Sequence, residues 1–172
     1  MRAYRCAHRK RPFRKPLLTV IDYSLPSNRK RLWVLDVRRR IVKYHEWVSH
    51  GKNTGGKWAR RFSNRPNSLQ SSLGLFRTGQ TYYGRNGYSL RLDGLEKGIN
   101  HLARKRHIVM HGAWYMSKSF IRKHGRAGRS WGCPALRKQA TYPIINAIKH
   151  KSALFIYYPN KKWRKTSRYL HC

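Results

Sequence analysis

From Leu18 to Tyr158 the chain is a succession of short apolar or alternating runs separated by turn residues. That pattern demands strands paired into a sheet. Leu18 to Tyr23 is the first run. Arg31 to Val37 alternates, with Leu32, Val34 and Asp36 on one side and Trp33, Leu35 and Val37 on the other. Ile41 to Val48 follows Arg38-Arg39-Arg40, so these two runs read as a hairpin with a basic tip. Leu75 to Tyr82 and Tyr88 to Leu92 are joined by Gly84-Arg85-Asn86-Gly87, an Asn-Gly turn of the hairpin type. His107 to His111 and Leu154 to Tyr158 read as further strands, strongly apolar in the second case. Helical signals are short. Ser117 caps a segment that carries Phe120 and Ile121 and stops at Gly125. Thr141 to His150 sets Tyr142, Ile145 and Ile148 on one side, and Leu95 to Arg104 suits a short helix or a loop. The expectation is a mainly β domain with two or three short helices, built as two packed sheets or a partly closed barrel. It occupies residues 17–158, between a flexible basic arm (1–16, punctuated by Pro12 and Pro16) and a basic tail (159–172). Gly51 to Gly56 is a glycine-rich loop. Ser63 to Ser72 is a long loop without an apolar face, and such excursions in compact domains often serve function.

A chain of 172 residues with 40% hydrophobic and 13% aromatic residues buries a core without staples. Its charge is the anomaly. Forty Lys and Arg face five Asp and Glu, a formal +35. Such a surface repels itself and seeks anions: nucleic acid, anionic lipid or an anionic cell-wall polymer. Nucleic acid has the first claim by charge alone. The cations nonetheless run from Arg2 to Arg168 as a general coat, with no zinc-finger spacing, RNP-like motif or heptads. No segment approaches the ~20 apolar residues of a transmembrane helix. Leu17 to Ile21 is too short for the apolar core of a signal peptide, and Asp22 ends it. The three cysteines, Cys6, Cys133 and Cys172, leave at least one unpaired. Cys6 and Cys172 would join only if the termini meet; two free terminal thiols is the alternative.

Chemistry concentrates in Arg126-Ala127-Gly128-Arg129-Ser130-Trp131-Gly132-Cys133-Pro134. Gly132 lets the backbone turn and expose amides, and Pro134 fixes the chain just after the thiol. The amides of Gly132 and Cys133 are candidate oxyanion donors, and Arg126 and Arg129 would favour thiolate. Upstream, Val109-Met110-His111-Gly112 delivers an imidazole at a strand end, with the Gly112 carbonyl free to orient the ring in place of a triad carboxylate. Cys133 and His111 together are the parts of a thiol acyl-transfer site. His107 and His111 share a strand face and could join Cys133 around zinc, but no fourth ligand has suitable spacing. Ser130 closes a turn through its hydroxyl. Asp93 has Arg91 and Arg129 as candidate partners, and an arginine held this way can take a substrate carboxylate bidentately. Trp131 and Tyr88 are either core or the lining of an acyl-chain groove. The candidate substrate-binding set is therefore Arg91, Arg126, Arg129, Ser130, Trp131 and Tyr88.

These residues resemble the motif of the L,D-transpeptidase catalytic domain, a YkuD-like family: a histidine followed by a small residue, then Ser-x-Gly-Cys. The matches are His111, Gly112, Ser130, Gly132 and Cys133. The wider chain is similar to the murein L,D-transpeptidase catalytic domain branch. The stretches that carry this likeness are Ser27 to Val34, His50 to Asn53, Ser71 to Gly74, Tyr88 to Glu96 and Gly128 to Pro134, within roughly residues 19 to 158. Two departures stand out. The position before Gly132, commonly histidine in the wider family, is Trp131, and the arginine often found soon after the cysteine has Arg137 as its nearest counterpart. The resemblance implies a β-rich fold, a cysteine acyl-enzyme and no cofactor. It also implies attack on a peptidoglycan stem tetrapeptide with release of D-alanine and formation of 3-3 crosslinks, and hence a setting in the periplasm or cell envelope. Water in place of the amine would make the chain a carboxypeptidase.

Overall fold

The computed structural model describes residues 1–10 and 13–172. The strands are β1 (Leu17–Asp22), β2 (Leu32–Asp36), β3 (Ile41–Glu46), β4 (Gly74–Gly84), β5 (Gly87–Gly94), β6 (Val109–Ala113), β7 (Ala135–Arg137) and β8 (Ala153–Tyr157). The helices are α1 (Arg2–Lys10), α2 (Lys118–His124), α3 (Lys138–Ile148) and α4 (Lys161–Thr166), four rather than two or three. Leu95 to Arg104 is a run of turns, so its loop alternative holds.

All eight strands form one sheet in the order β3-β2-β1-β8-β4-β5-β6-β7. Neighbours pair antiparallel except β1 with β8 and β6 with β7. The sheet curls until its two edges nearly meet, which resolves the sandwich-or-barrel alternative as a nearly closed barrel. Past the end of β3, the Ser49 N–H donates to the Ala135 carbonyl at 2.9 Å. The Ala135 N–H donates to Ser49 Oγ at 3.1 Å, and Arg137 grips Glu46 through Nε at 2.9 Å. Closure removes most of the exposed edge that an open sheet would present.

Alternation assigns the faces. Leu32, Val34, Phe76, Leu90, Leu92, Met110 and Leu136 turn into the main core, where Ile144, Ile145 and Ile148 of α3 pack against them. Ala113 and Ala135 point the other way, into a small cluster with Met116, Ile121 and Ala127. The excursion between β6 and β7 is therefore anchored on the outside of the barrel. Ser117 accepts the Phe120 N–H at the start of α2, and Gly125 ends it with φ 63°, as its spacing predicts.

Both chain ends correct the expectation. The segment read as a flexible arm holds α1, whose Ala3, Tyr4, Cys6 and Ala7 are buried; Pro12 lies outside the described residues. The segment read as a tail holds α4 and buries Trp163 and Tyr169. A Cys6–Cys172 disulfide joins the two ends, with the Cα atoms 6.0 Å apart.

Candidate active site

β6 and β7 run parallel with His111 opposite Ala135. The same register extended back two residues sets Cys133 beside Val109 on the adjoining strand. The thiol obeys that register. The Val109 N–H donates to Cys133 Sγ at 3.4 Å, and the sulfur lies 3.5 Å from the His107 carbonyl. Cys133 is the free cysteine of the chain and is half-buried. Among the described residues, the sulfur's hydrogen bonds are with backbone groups and not with the imidazole.

His111 is buried in β6, and its Nδ1 meets the Gly112 carbonyl at 3.0 Å. That contact makes Nδ1 the protonated nitrogen and leaves Nε2 as the free base. Burial lowers the ring's pKa, partly opposed by the Gly112 bond. Burial raises the Cys133 thiol, while the Val109 N–H and the Arg106 guanidinium pull it down. The resting pair is consequently neutral: a thiol and an unprotonated imidazole.

The loop that carries Cys133 is pinned at every turn. Ser130 N–H donates to the His50 carbonyl at 3.0 Å, and the Ser130 carbonyl accepts from Lys52 at 2.7 Å. Ser130 Oγ donates to the Cys133 carbonyl at 2.6 Å and accepts the Gly132 N–H at 3.2 Å. Ser130 is thus a buried residue that closes the turn through its hydroxyl. Its capture of the Gly132 N–H also removes one of the two expected oxyanion donors. Gly132 sits at φ 122°, and a Cβ there would lie 2.8 Å from the Gln70 carbonyl, so a side chain is excluded on both grounds.

Other expected residues fall elsewhere. The cation that bears on the thiol is Arg106, not Arg126 or Arg129. Arg126 bonds the Ala127 carbonyl, and Arg129 leans on the Lys52 and Gly55 carbonyls at 3.3 Å. Asp93 pairs with Arg104 and more loosely with Arg77, so neither Arg91 nor Arg129 is its partner. Arg91 instead lies over the Tyr82 ring at 4.4 Å. Trp131 is 73% exposed, which removes the core alternative for it. Tyr88 is half-buried, stacks on Tyr142 at 4.4 Å and donates to Asn146 Oδ1. It lines an open cleft of about 500 Å³ whose floor is His111, Gly112 and Ala113.

Several groups around the thiol carry no signal in the sequence. Arg106 clamps the 63–72 loop through the Ser63 and Gln70 carbonyls and the Ser68 and Ser72 hydroxyls. Arg31 is fully buried, and among the described residues no carboxylate forms an ion pair with it. It bonds the Val48 and Leu25 carbonyls and donates to His50 Nδ1 at 2.8 Å, and burial lowers it to about 10. His50 is held neutral, its pKa lowered to about 3 by burial and by Arg31. Tyr23, pushed up to about 12 by burial, donates to the Ser49 carbonyl. Tyr115, also raised to about 12 by burial, lines the His111 cleft. The sequence signals nearest to them are the long 63–72 loop and the stretches of family resemblance that contain Arg31, His50 and Ser72.

The nearly closed barrel thus sets a cysteine loop beside a strand-borne histidine. The family model for the L,D-transpeptidase catalytic domain matches residues 1–157, and the chain belongs to that family, which acts on peptidoglycan. Solved structures share the fold. A mutant of the helical cell shape determining protein of Campylobacter jejuni is 11% identical, with a TM-score of 0.56 over 87% of this chain and 49% of that one. An L,D-transpeptidase from Mycobacterium smegmatis is 13% identical, with a TM-score of 0.50 over 83% of this chain and 59% of that one. The chain therefore spans about half to three fifths of the length of these structures. A comparison with curated proteins gives no match.

Proposed function

We propose that the chain is an L,D-transpeptidase of the cell envelope that works through Cys133. The observation that carries this reading is the parallel register: it makes Cys133 a neighbour of the strand that holds His111, whose Nδ1 is fixed by the Gly112 carbonyl. The bond between the thiol and Nε2 forms as substrate binds, since such bonds commonly tighten only with substrate in place. His111 takes the thiol proton as sulfur attacks the carbonyl at the L-centre of a stem tetrapeptide. The Cys133 N–H stabilises the oxyanion, because Ser130 already holds the Gly132 N–H. The C–N bond to the terminal D-alanine breaks, and His111 returns the proton to the departing amine. An amine of a second stem then attacks the thioester, gives its proton to His111 and expels the thiolate, leaving a 3-3 crosslink. Water in place of that amine yields the carboxypeptidase outcome.

The Cys6–Cys172 disulfide suits an oxidising compartment. The +35 charge concentrates the enzyme on anionic envelope polymers, and nucleic acid is a competing anion for the same surface. The test is mass spectrometry of the intact protein after exposure to a stem tetrapeptide or a carbapenem. A covalent adduct is expected on the wild type and none on Cys133→Ala. Wild-type protein with a titratable thiol that forms no adduct and releases no D-alanine would end the proposal.

A further inference from the structure

The cleft beside His111 has an unusual wall. Tyr83, Trp114 and Tyr142 are 70%, 67% and 50% exposed, yet all three face the same space. Tyr88 lies between the two other tyrosines, with ring centroids 5.2 Å from Tyr83 and 4.4 Å from Tyr142, and Tyr83 and Tyr142 touch through their hydroxyls. The tip of the β4–β5 hairpin and the first turns of α3 are thereby joined into one aromatic wall, and Trp114 lines the same cleft. Arg85 and Lys138 stand on the same rim. Large flat rings kept in water are costly unless a ligand covers them. Aromatic faces with hydroxyl and cationic edges fit a ligand that is apolar on its ring faces and polar at its rim.

We infer that this groove binds the glycan strand of peptidoglycan, an N-acetylated amino-sugar polymer, with sugar rings laid against Tyr83, Tyr142 and Trp114. The inference rests on the transpeptidase reading for its choice of polymer. Reach supports it. Three stem residues separate the attacked carbonyl from the sugar, a span of roughly 10 Å at about 3.3–3.6 Å per residue. The floor of the groove begins at His111 on β6, and adjacent strands lie about 4.8 Å apart. A strand in the groove therefore passes within one stem length of Cys133. Arg85 and Lys138 supply donors to the hydroxyl and acetamide oxygens.

The experiment measures binding of an end-labelled glycan strand stripped of its stems, by fluorescence anisotropy at low and high salt. Tyr83→Ala, Trp114→Ala and Tyr142→Ala should each weaken binding by about three- to tenfold, the size of one lost aromatic contact. The loss should persist at high salt. Replacing Arg38, Arg39 and Arg40, on the remote β2–β3 turn, should weaken only the salt-sensitive part. Thermal melting confirms that each variant folds. Equal affinity in the aromatic variants, or displacement of the labelled strand by free stem peptide alone, overturns the glycan assignment. If the strand fails to bind while Cys133 still acquires a stem acyl group, the glycan assignment falls and the transpeptidase reading stands. If the strand binds through the aromatics while Cys133 stays unmodified, the groove stands and the transpeptidase reading falls.

Discussion

Burial lifts the Cys133 thiol while two groups draw it back, the Val109 N–H and the Arg106 guanidinium. Thiolate is the reactive form, so a raised pKa means little of it at neutral pH. Alkylation of Cys133 by iodoacetamide should therefore be slow at pH 7 and should climb with pH beyond the range of an ordinary thiol. Arg106→Gln removes the favourable charge, so its alkylation profile should move to higher pH. Coincident profiles for the two proteins would show that Arg106 acts only on the 63–72 loop. The same scale explains why the residue before the cysteine is glycine. At φ 122°, with the Gln70 carbonyl against it, no side chain fits.

At the scale of elements, α1 and α4 turn the two ends of the chain into part of the fold. Tyr4 stacks with Phe13, and Ala3, Ala7 and Cys6 pack against Leu18, Leu75 and Tyr169. Ala3, Tyr4, Cys6 and Ala7 already have helical spacing in the sequence, but the stripe is thin and the arginines around it mask its period. The disulfide closes 166 residues of separation, so it constrains the unfolded chain strongly. Cys6→Ser with Cys172→Ser should lower stability by about 2–5 kcal/mol in urea unfolding. Reductant should destabilise the wild type by a similar amount and leave the double variant unchanged. Stability equal to that of the oxidised wild type would mean that helix packing alone holds the ends. By contrast α2 was legible at both ends, because a serine cap and a left-handed glycine are local signals.

Across the whole molecule, the buried Arg31–His50 pair links stability to pH. His50 titrates at about 3 in the fold, against an ordinary value near 6.5. Between these values the unfolded chain binds a proton that the native protein refuses, so stability falls as pH drops through that window and is complete above it. His111, also lowered, adds to the same slope. Denaturant unfolding at pH 7 and pH 4.5 measures it. His50→Asn keeps an acceptor for Arg31 and cannot titrate, so its slope should be shallower. An equal slope would assign the acid sensitivity to other groups. The excess of cations magnifies any such loss, since self-repulsion already works against the compact state.

Local signals in the sequence determined the β-rich class, the hairpin at Asn86-Gly87 and the limits of α2, because turn chemistry and alternation act over a few residues. They could not assign partners to charges. Asp93 found Arg104 and Arg77 instead of Arg91, and Arg106 instead of Arg126 or Arg129 came to bear on the sulfur. Those choices depend on which strands become neighbours in a closed sheet. The same closure joined Ser49 to Ala135 and set the aromatic wall beside the imidazole. Contacts of that kind join residues tens of positions apart, and only the packed chain brings them within reach.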